Sequence, residues 1–246
     1  MLTEYDLSRY KRQIQYPPLG EEGQEKLKKA HVVVAGVGGL GCPGALYLAA
    51  AGIGRLTIID DDVVSLSNLN RQLLHYDGDI GRAKVASGAD KLGLLNPAVR
   101  ITSVRKRIEP DNAADLIAGG QVVIDGLDNF ETRLILNRAC VDLGIPFIHG
   151  GIHGLLGEAT TIIPGKTPCF ACLCQDVPEQ DEEIPALGPL TGMIACVQAV
   201  EAIKCLAGFG TLLAGRMLFI DASDMTFSTI HIERTKHCPV CGVGEP

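Results

Sequence analysis

The chain has 246 residues, 46% of them hydrophobic and 21% charged, enough for one large domain or two small ones. A formal net charge of -7 with no arginine-rich tract argues against a nucleic-acid partner, because phosphate neutralisation is the main source of such affinity. No uninterrupted apolar run has the length of a membrane span, since the nearest, Ile194 to Leu206, is broken by Gln198, Glu201 and Lys204; with the charged opening MLTEYDLSRYKRQ, which is unlike a secretory signal, this makes a cytoplasmic protein without a membrane partner the expectation.

Residues 4–30 are charged and helix-prone, interrupted by PPLG at 17–20. HVVVAGVGGLG follows, a buried-strand run feeding a glycine turn, and CPGALYLAAAGIG continues it as an Ala/Leu-rich helix closed by glycine. RLTIID reads as the next strand and GRAKVASGADKLG as a helix. AVRITSVRKRI and QVVIDGLDN read as strands with the helix DNAADLIAGG between them; ETRLILNRACVDLG is helical and IPFIHGGI a strand. This alternation predicts a Rossmann-like, mostly parallel sheet with crossover helices. From about Gly151 the rhythm changes: GLLGEATTIIPG and GRMLFIDASDMTFSTIHIERT pattern as hairpin strands around the helix PLTGMIACVQAVEAIKCLAG. The expectation is one α/β domain over 1–246, with an N-terminal helical arm (1–30), a nucleotide-binding half (31–150) and a half of antiparallel strands (151–246). DVPEQDEEIP, residues 176–185, reads as an acidic, proline-bounded loop.

GVGGLG places Gly36, Gly38, Gly39 and Gly41 between a strand and a helix, where glycines permit a tight turn and the helix N-terminus offers free N–H groups to phosphate. Asp60 ends the next strand about 20 residues on, in position to accept ribose hydroxyls. The run that follows, DDDVVSLSNLNRQ, is not what a dinucleotide requires. Arg71 and Lys84 supply two cations near that strand end, with Asn68 and Asn70 as further donors, an arrangement suited to a triphosphate with charge migrating to a leaving group. VIDGLDNFETR sets Asp125 and Asp128 at a later strand's carboxyl end, where a carboxylate can hold magnesium beside phosphates. The plainer reading has Asp128 capping a helix that begins near Asn129. His149 and His153 flank a Gly-Gly and read as packing residues. Arg12, Lys84 and the second acidic pair would have no work in the rival reading, a nicotinamide oxidoreductase.

The nine cysteines are odd in number, which excludes complete disulfide pairing. Cys169 with Cys172, and Cys238 with Cys241, form two Cys-x-x-Cys pairs whose spacing fits a closed tetrahedral thiolate site for structural zinc; two independent redox pairs are the alternative. Cys42, Cys140, Cys196 and Cys205 sit in apolar helical patterns and read as buried and inert.

RYKRQI, GVGGLG, DDDVVSLSNLNRQ, GRAKV, DGLDNFETR, CFAC, QAVEAIK and CPVCG occur in this order across nearly the whole chain. Together they resemble the ThiF/MoeB/HesA group, relatives of the ubiquitin-activating enzymes. The resemblance implies an adenylyltransferase that uses ATP and magnesium to adenylate the C-terminal glycine of a ubiquitin-like sulfur carrier ending in Gly-Gly, of MoaD or ThiS type, in molybdopterin or thiamine biosynthesis. It implies that Gly39 and Asp60 contact the nucleotide, with Asn129 in the same site. Asn68, Arg71 and Lys84 would hold the phosphates, and Asp128 would be the catalytic magnesium-binding acid. Arg12 would reach the ATP of the neighbouring subunit in a homodimer, Cys169, Cys172, Cys238 and Cys241 would bind zinc, and residues 151–246 would receive the carrier. Sulfur-transferring and thioester-forming relatives carry a nucleophilic cysteine at a place that falls near Asp181, where this chain has none; Cys174 lies earlier in that loop. No rhodanese-like extension is expected after Pro246. Adenylation alone is therefore expected, with sulfur transfer through Cys174, or a non-catalytic role in binding a ubiquitin-like protein, as the alternatives.

Overall fold

A computed structural model describes residues 1–174 and 185–242. The acidic loop read at 176–185, apart from Pro185, and the position near Asp181 lie outside the described residues.

Eight strands form one sheet in the order β3-β2-β1-β4-β5-β6-β7-β8. They are β1 (His31–Ala35), β2 (Arg55–Ile59), β3 (Arg100–Val104), β4 (Val122–Asp125), β5 (Phe147–His153), β6 (Leu156–Ile162), β7 (Arg216–Asp221) and β8 (Thr226–His231). The first five run parallel, and β6, β7 and β8 join antiparallel, as the change of rhythm near Gly151 predicts. Strand order reverses between β1 and β4, which opens a crevice at their carboxyl ends where sheets of this kind bind ligands.

Because side chains alternate along a strand, the Val run of β1 feeds both faces. Val32 and Val34 pack with Leu27 of α3 (Gly20–Lys29), Ala45 and Leu48 of α4 (Gly41–Ala51), Leu92 of α5 (Lys84–Leu95) and Ala199 of α9 (Gly188–Ala207). Val33 and Ala35 pack with Ile117 of α6 (Ala113–Ile117), Leu136 of α7 (Phe130–Leu143) and Phe170 of α8 (Phe170–Leu173). Burial on both faces is the reason these strands read as continuous apolar runs. Among the described residues α9 is the one helix long and apolar enough to cross a membrane. Here it lies on β4, β5, β6 and α4, with Gln198 and Glu201 buried and hydrogen-bonded.

The N-terminal arm is three helices, α1 (Glu4–Arg9), α2 (Lys11–Ile14) and α3. A capping box between Thr3 and Asp6 starts α1. The arm packs on the C-terminal ends of α4 and α5: Gln13 donates to Ala51 O (2.8 Å), and Asn96 Nδ2 donates to the Tyr10 hydroxyl (2.9 Å). Helices that follow parallel strands run back across the sheet, so this contact lies at the edge away from the glycine turn.

Candidate nucleotide and metal sites

The glycine turn is shaped by close backbone approach. Gly36 has φ +90°, and a Cβ there would stand 2.5 Å from Gly126 O. A Cβ at Gly41 would stand 1.8 Å from Gly36 O, so the first and last glycines of the motif let β1, α4 and the turn after β4 meet. Asp60 holds the turn from the side: Val37 N–H donates to Oδ2 (2.7 Å) and Asp62 N–H to Oδ1 (2.9 Å). Burial raises the Asp60 pKa above the usual carboxylate value, although the Lys84 charge and these two donors oppose it. Beneath the turn His75 is buried between Val37 O (Nε2, 3.1 Å) and the Ser87 hydroxyl (Nδ1, 2.9 Å), a brace the sequence reading missed.

Lys84 is buried and its Nζ donates to Asp62 Oδ2 (2.8 Å). Arg71 Nη1 donates to Ser67 O and to Asn70 Oδ1, both at 3.0 Å. The Arg71 stem borders Gly39, where a Cβ would meet Arg71 Cδ at 3.6 Å and Thr191 Cγ2 at 2.8 Å. A Cβ on Gly188 would stand 2.6 Å from Asn70 O, so the first turn of α9 closes over the same loop. Sequence reasoning did not include that helix end. Asn68 Oδ1 accepts the Ser65 N–H (3.0 Å) and Asn70 Oδ1 accepts from Arg71, so both amide oxygens are engaged within the loop. The fold thus gathers Gly36, Gly38, Gly39, Gly41, Asp60, Arg71 and Lys84 around one rim.

The two acids after β4 diverge. Asp125 is fully buried; it pairs with Arg133 (Nε to Oδ2, 3.0 Å) and His149 (Nδ1 to Oδ2, 2.6 Å) and accepts the Leu127 N–H (3.0 Å). Burial pushes its pKa up, but the Arg133 charge and the His149 bond prevail and hold it below the ordinary value. It is a structural hub, which corrects the reading of Asp125 as a possible magnesium ligand. Asp128 is exposed, its one hydrogen bond among the described residues coming from Asn129 Nδ2 (3.2 Å). The cap of α7 is Asn129, whose Oδ1 accepts the Thr132 N–H (2.9 Å), so Asp128 is free of the capping role.

Arg12 is exposed on α2, at the sheet edge opposite the glycine turn. One chain does not bring it to the other site residues.

The two Cys-x-x-Cys pairs come together although 69 residues separate their members. Cys169 Sγ lies 3.6 Å from Cys238 Sγ and Cys172 Sγ 3.4 Å from Cys241 Sγ, with all four ligand atoms within 4.8 Å of one another. A zinc ion with Zn–S bonds of about 2.3 Å sets tetrahedral sulfurs about 3.8 Å apart, so the quartet fits that ion and independent redox pairs do not explain the clustering. Arg138 donates to Pro239 O and Val240 O, and Arg234 to Cys241 O, which fixes the second pair and brings two cations to a site whose thiolates would carry negative charge. All nine cysteines are free thiols. Cys42 and Cys140 are buried as expected, whereas Cys196 and Cys205 are half-buried. Cys174 is half-buried, and burial with the nearby Glu158 charge pushes its thiol up to about 11.

Residues 10–240 match the ThiF family. The chain belongs to it. It is 46% identical to the SAMP-activating enzyme E1 of Haloferax volcanii over 99% of this chain and 92% of that one. It is 40% identical to the molybdopterin-synthase adenylyltransferase of Salmonella typhimurium over 98% of both. It is 38% identical to the sulfur carrier protein adenylyltransferase of Thermus thermophilus over 98% of this chain and 92% of that one. Among solved structures, E. coli MccB with ATP superposes with a TM-score of 0.87 at 25% identity, over 98% of this chain and 76% of that one. This ThiF-family chain therefore shares its sheet with an ATP-bound protein and nearly its whole length with named adenylyltransferases.

Proposed function

We propose that this chain adenylates the C-terminal glycine carboxylate of a small ubiquitin-like sulfur carrier, with ATP as the co-substrate. The observation that carries the reading is the convergence of two cations, Arg71 and Lys84, on a glycine turn and the acid Asp60, with the exposed carboxylate of Asp128 belonging to the same carboxyl edge of the sheet. The carrier's carboxylate oxygen forms a bond to the α-phosphorus as the bond from that phosphorus to the bridging oxygen breaks, and pyrophosphate leaves with the electron pair. A carboxylate nucleophile needs no general base; neutralising and aligning two anions is the main task. Lys84 moves from Asp62 to a phosphate oxygen, and Arg71 gives up Ser67 O for the same purpose. Asp128 is the residue to hold magnesium, which would neutralise phosphate charge there. Asp60 takes the ribose while still supporting Val37, with Asn68, Asn70 and Asn129 reaching the nucleotide through their amide NH2 groups.

Arg12 acts on the nucleotide of a partner subunit, since its own chain holds it at the opposite edge; the enzyme is accordingly a homodimer. Zinc held by Cys169, Cys172, Cys238 and Cys241 would staple α8 to the C-terminal segment and would take no part in the reaction. The carrier docks on residues 151–246, where β8 leaves a sheet edge unpaired among the described residues and Phe219, Phe227 and Ile230 are exposed. The sulfur donor is another protein.

The test is ATP–pyrophosphate exchange with purified carriers of MoaD and ThiS type ending in Gly-Gly. Exchange that requires one of these carriers is the expected result; an enzyme indifferent to ATP that holds a nicotinamide nucleotide instead would end the proposal.

A further inference from the structure

We propose that His149 is a positioning residue for the adenylation step: by bridging Asp125 and Glu158 it holds fixed the turn that carries Asp128. The inference rests on the role of Asp128 given above, but its structural half can be tested separately.

The turn between β4 and α7 is tied down at three points. Gly126 N–H donates to Ala35 O (2.7 Å), Leu127 N–H donates to Asp125 Oδ1 (3.0 Å), and Leu127 O accepts from Arg133 Nη2 (2.5 Å). The last two bracket the residue before Asp128, and both depend on the Asp125–Arg133 ion pair staying in place. That pair is buried, so its geometry is set by whatever else its members bond to. Arg133 also donates to Gly150 O (3.1 Å), and Asp125 receives His149 Nδ1 (2.6 Å).

His149 is itself fully enclosed and has an acceptor on each nitrogen, Asp125 on Nδ1 and Glu158 Oε1 on Nε2 at 3.3 Å. A neutral imidazole carries one N–H and satisfies one of them; only the doubly protonated ring donates to both. The groups that face it are Asp125 from β4, Arg133 from α7, Glu158 from β6, the Phe170 ring from α8 (centroids 4.7 Å apart) and the neutral Gln198 from α9, which donates to Asp125 O and Ile148 O. The Cys174 thiol lies near Glu158. With His149 protonated, Asp125, Arg133, His149 and Glu158 sum to zero charge. Burial alone pushes the imidazole pKa down, but its bonds to Asp125 and Glu158 outweigh burial and leave it raised. Glu158 is the solvent-reached end of the chain, its side chain 39% exposed, and it lies on β6, the strand that opens the antiparallel half. The network therefore links that half to the turn of Asp128.

His149→Phe removes both bonds while keeping a ring against Phe170, and His149→Asn keeps a donor for Asp125 alone. In carrier-dependent exchange the Phe variant should lose about tenfold in kcat with KM for ATP changed less than about twofold, because misplacing a catalytic group by a fraction of an ångström acts on the reacting geometry. The Leu127 amide should exchange with solvent about tenfold faster while the β1 amides keep their protection, which marks local loosening. His149→Asn, which keeps the Asp125 bond without the Glu158 one, should recover part of both effects. Should His149→Phe fail to fold, Glu158→Ala removes only the outer acceptor and should also speed Leu127 exchange. Wild-type kcat and Leu127 protection in His149→Phe, equal losses in kcat and KM, or no recovery in His149→Asn would each overturn the proposal. Absence of exchange in the wild type would end the adenylation reading, and Leu127 protection would still decide whether the clamp exists.

Discussion

The middle of the sheet and its β8 edge solve different problems. In β1 and β4 every residue from Val32 to Ala35 and from Val122 to Asp125 is buried, with helices on both faces. In β8 every residue from Thr226 to His231 is exposed. A parallel strand covered on both sides can hold catalytic groups in place because its neighbours leave it nowhere to go; an open antiparallel edge is free to receive a partner. The proposed function places the chemistry in the parallel half and partner recognition in the antiparallel one. Glu158 and His149 lie where the two regimes meet.

The sharpest test of this division is Asp128→Ala. The side chain is exposed and, among the described residues, bonds only to Asn129, so the variant should fold normally yet lose carrier-dependent ATP–pyrophosphate exchange by about three orders of magnitude or more. Near-normal exchange would remove Asp128 from the mechanism. Three residues earlier the balance should invert. Arg133→Leu strips a cation from buried Asp125 and should cost about 3–5 kcal/mol in urea unfolding, because an uncompensated buried charge remains. The same unfolding measured against pH reads His149. Its folded pKa is raised, so its contribution is fully present below about pH 6.5 and declines as pH rises through the folded value. The difference in stability between wild type and His149→Phe should shrink across that window; growth with pH would contradict a protonated His149. Asp125 has the opposite sign, its contribution being lost only in acid. The smallest effect on folding belongs to the open edge: Phe227→Ser should shift stability by no more than about 0.5 kcal/mol while raising KM for the carrier, and unchanged carrier KM would move the docking surface elsewhere.

Much of this is legible in the sequence. The apolar run HVVVA, the glycines at 36 and 41 and the two Cys-x-x-Cys pairs each impose a requirement met within a few residues of themselves. A positive φ, a helix N-terminus or a two-ligand bite is local chemistry. Asp125 and Asp128 show where such reading stops. Both are aspartates in DGLDN, yet one lies at the centre of a charge network and the other faces solvent, and nothing in those five letters separates them. The partners that decide it, Arg133, His149 and Glu158, come from α7, β5 and β6. For the same reason the sequence shows neither the bridging role of His149, nor Asn129 as the cap of α7, nor the closure of the first turn of α9 over Arg71.

The order of strands and helices, the glycine turn after β1 and the cysteine spacing follow from sequence alone, because backbone conformation and side-chain alternation are set by near neighbours. Which acid is buried, which histidine bridges two carboxylates, whether the cysteine pairs meet and at which edge Arg12 sits were decided by the tertiary structure. These depend on desolvation and on charges brought together from distant parts of the chain, and no local pattern records them.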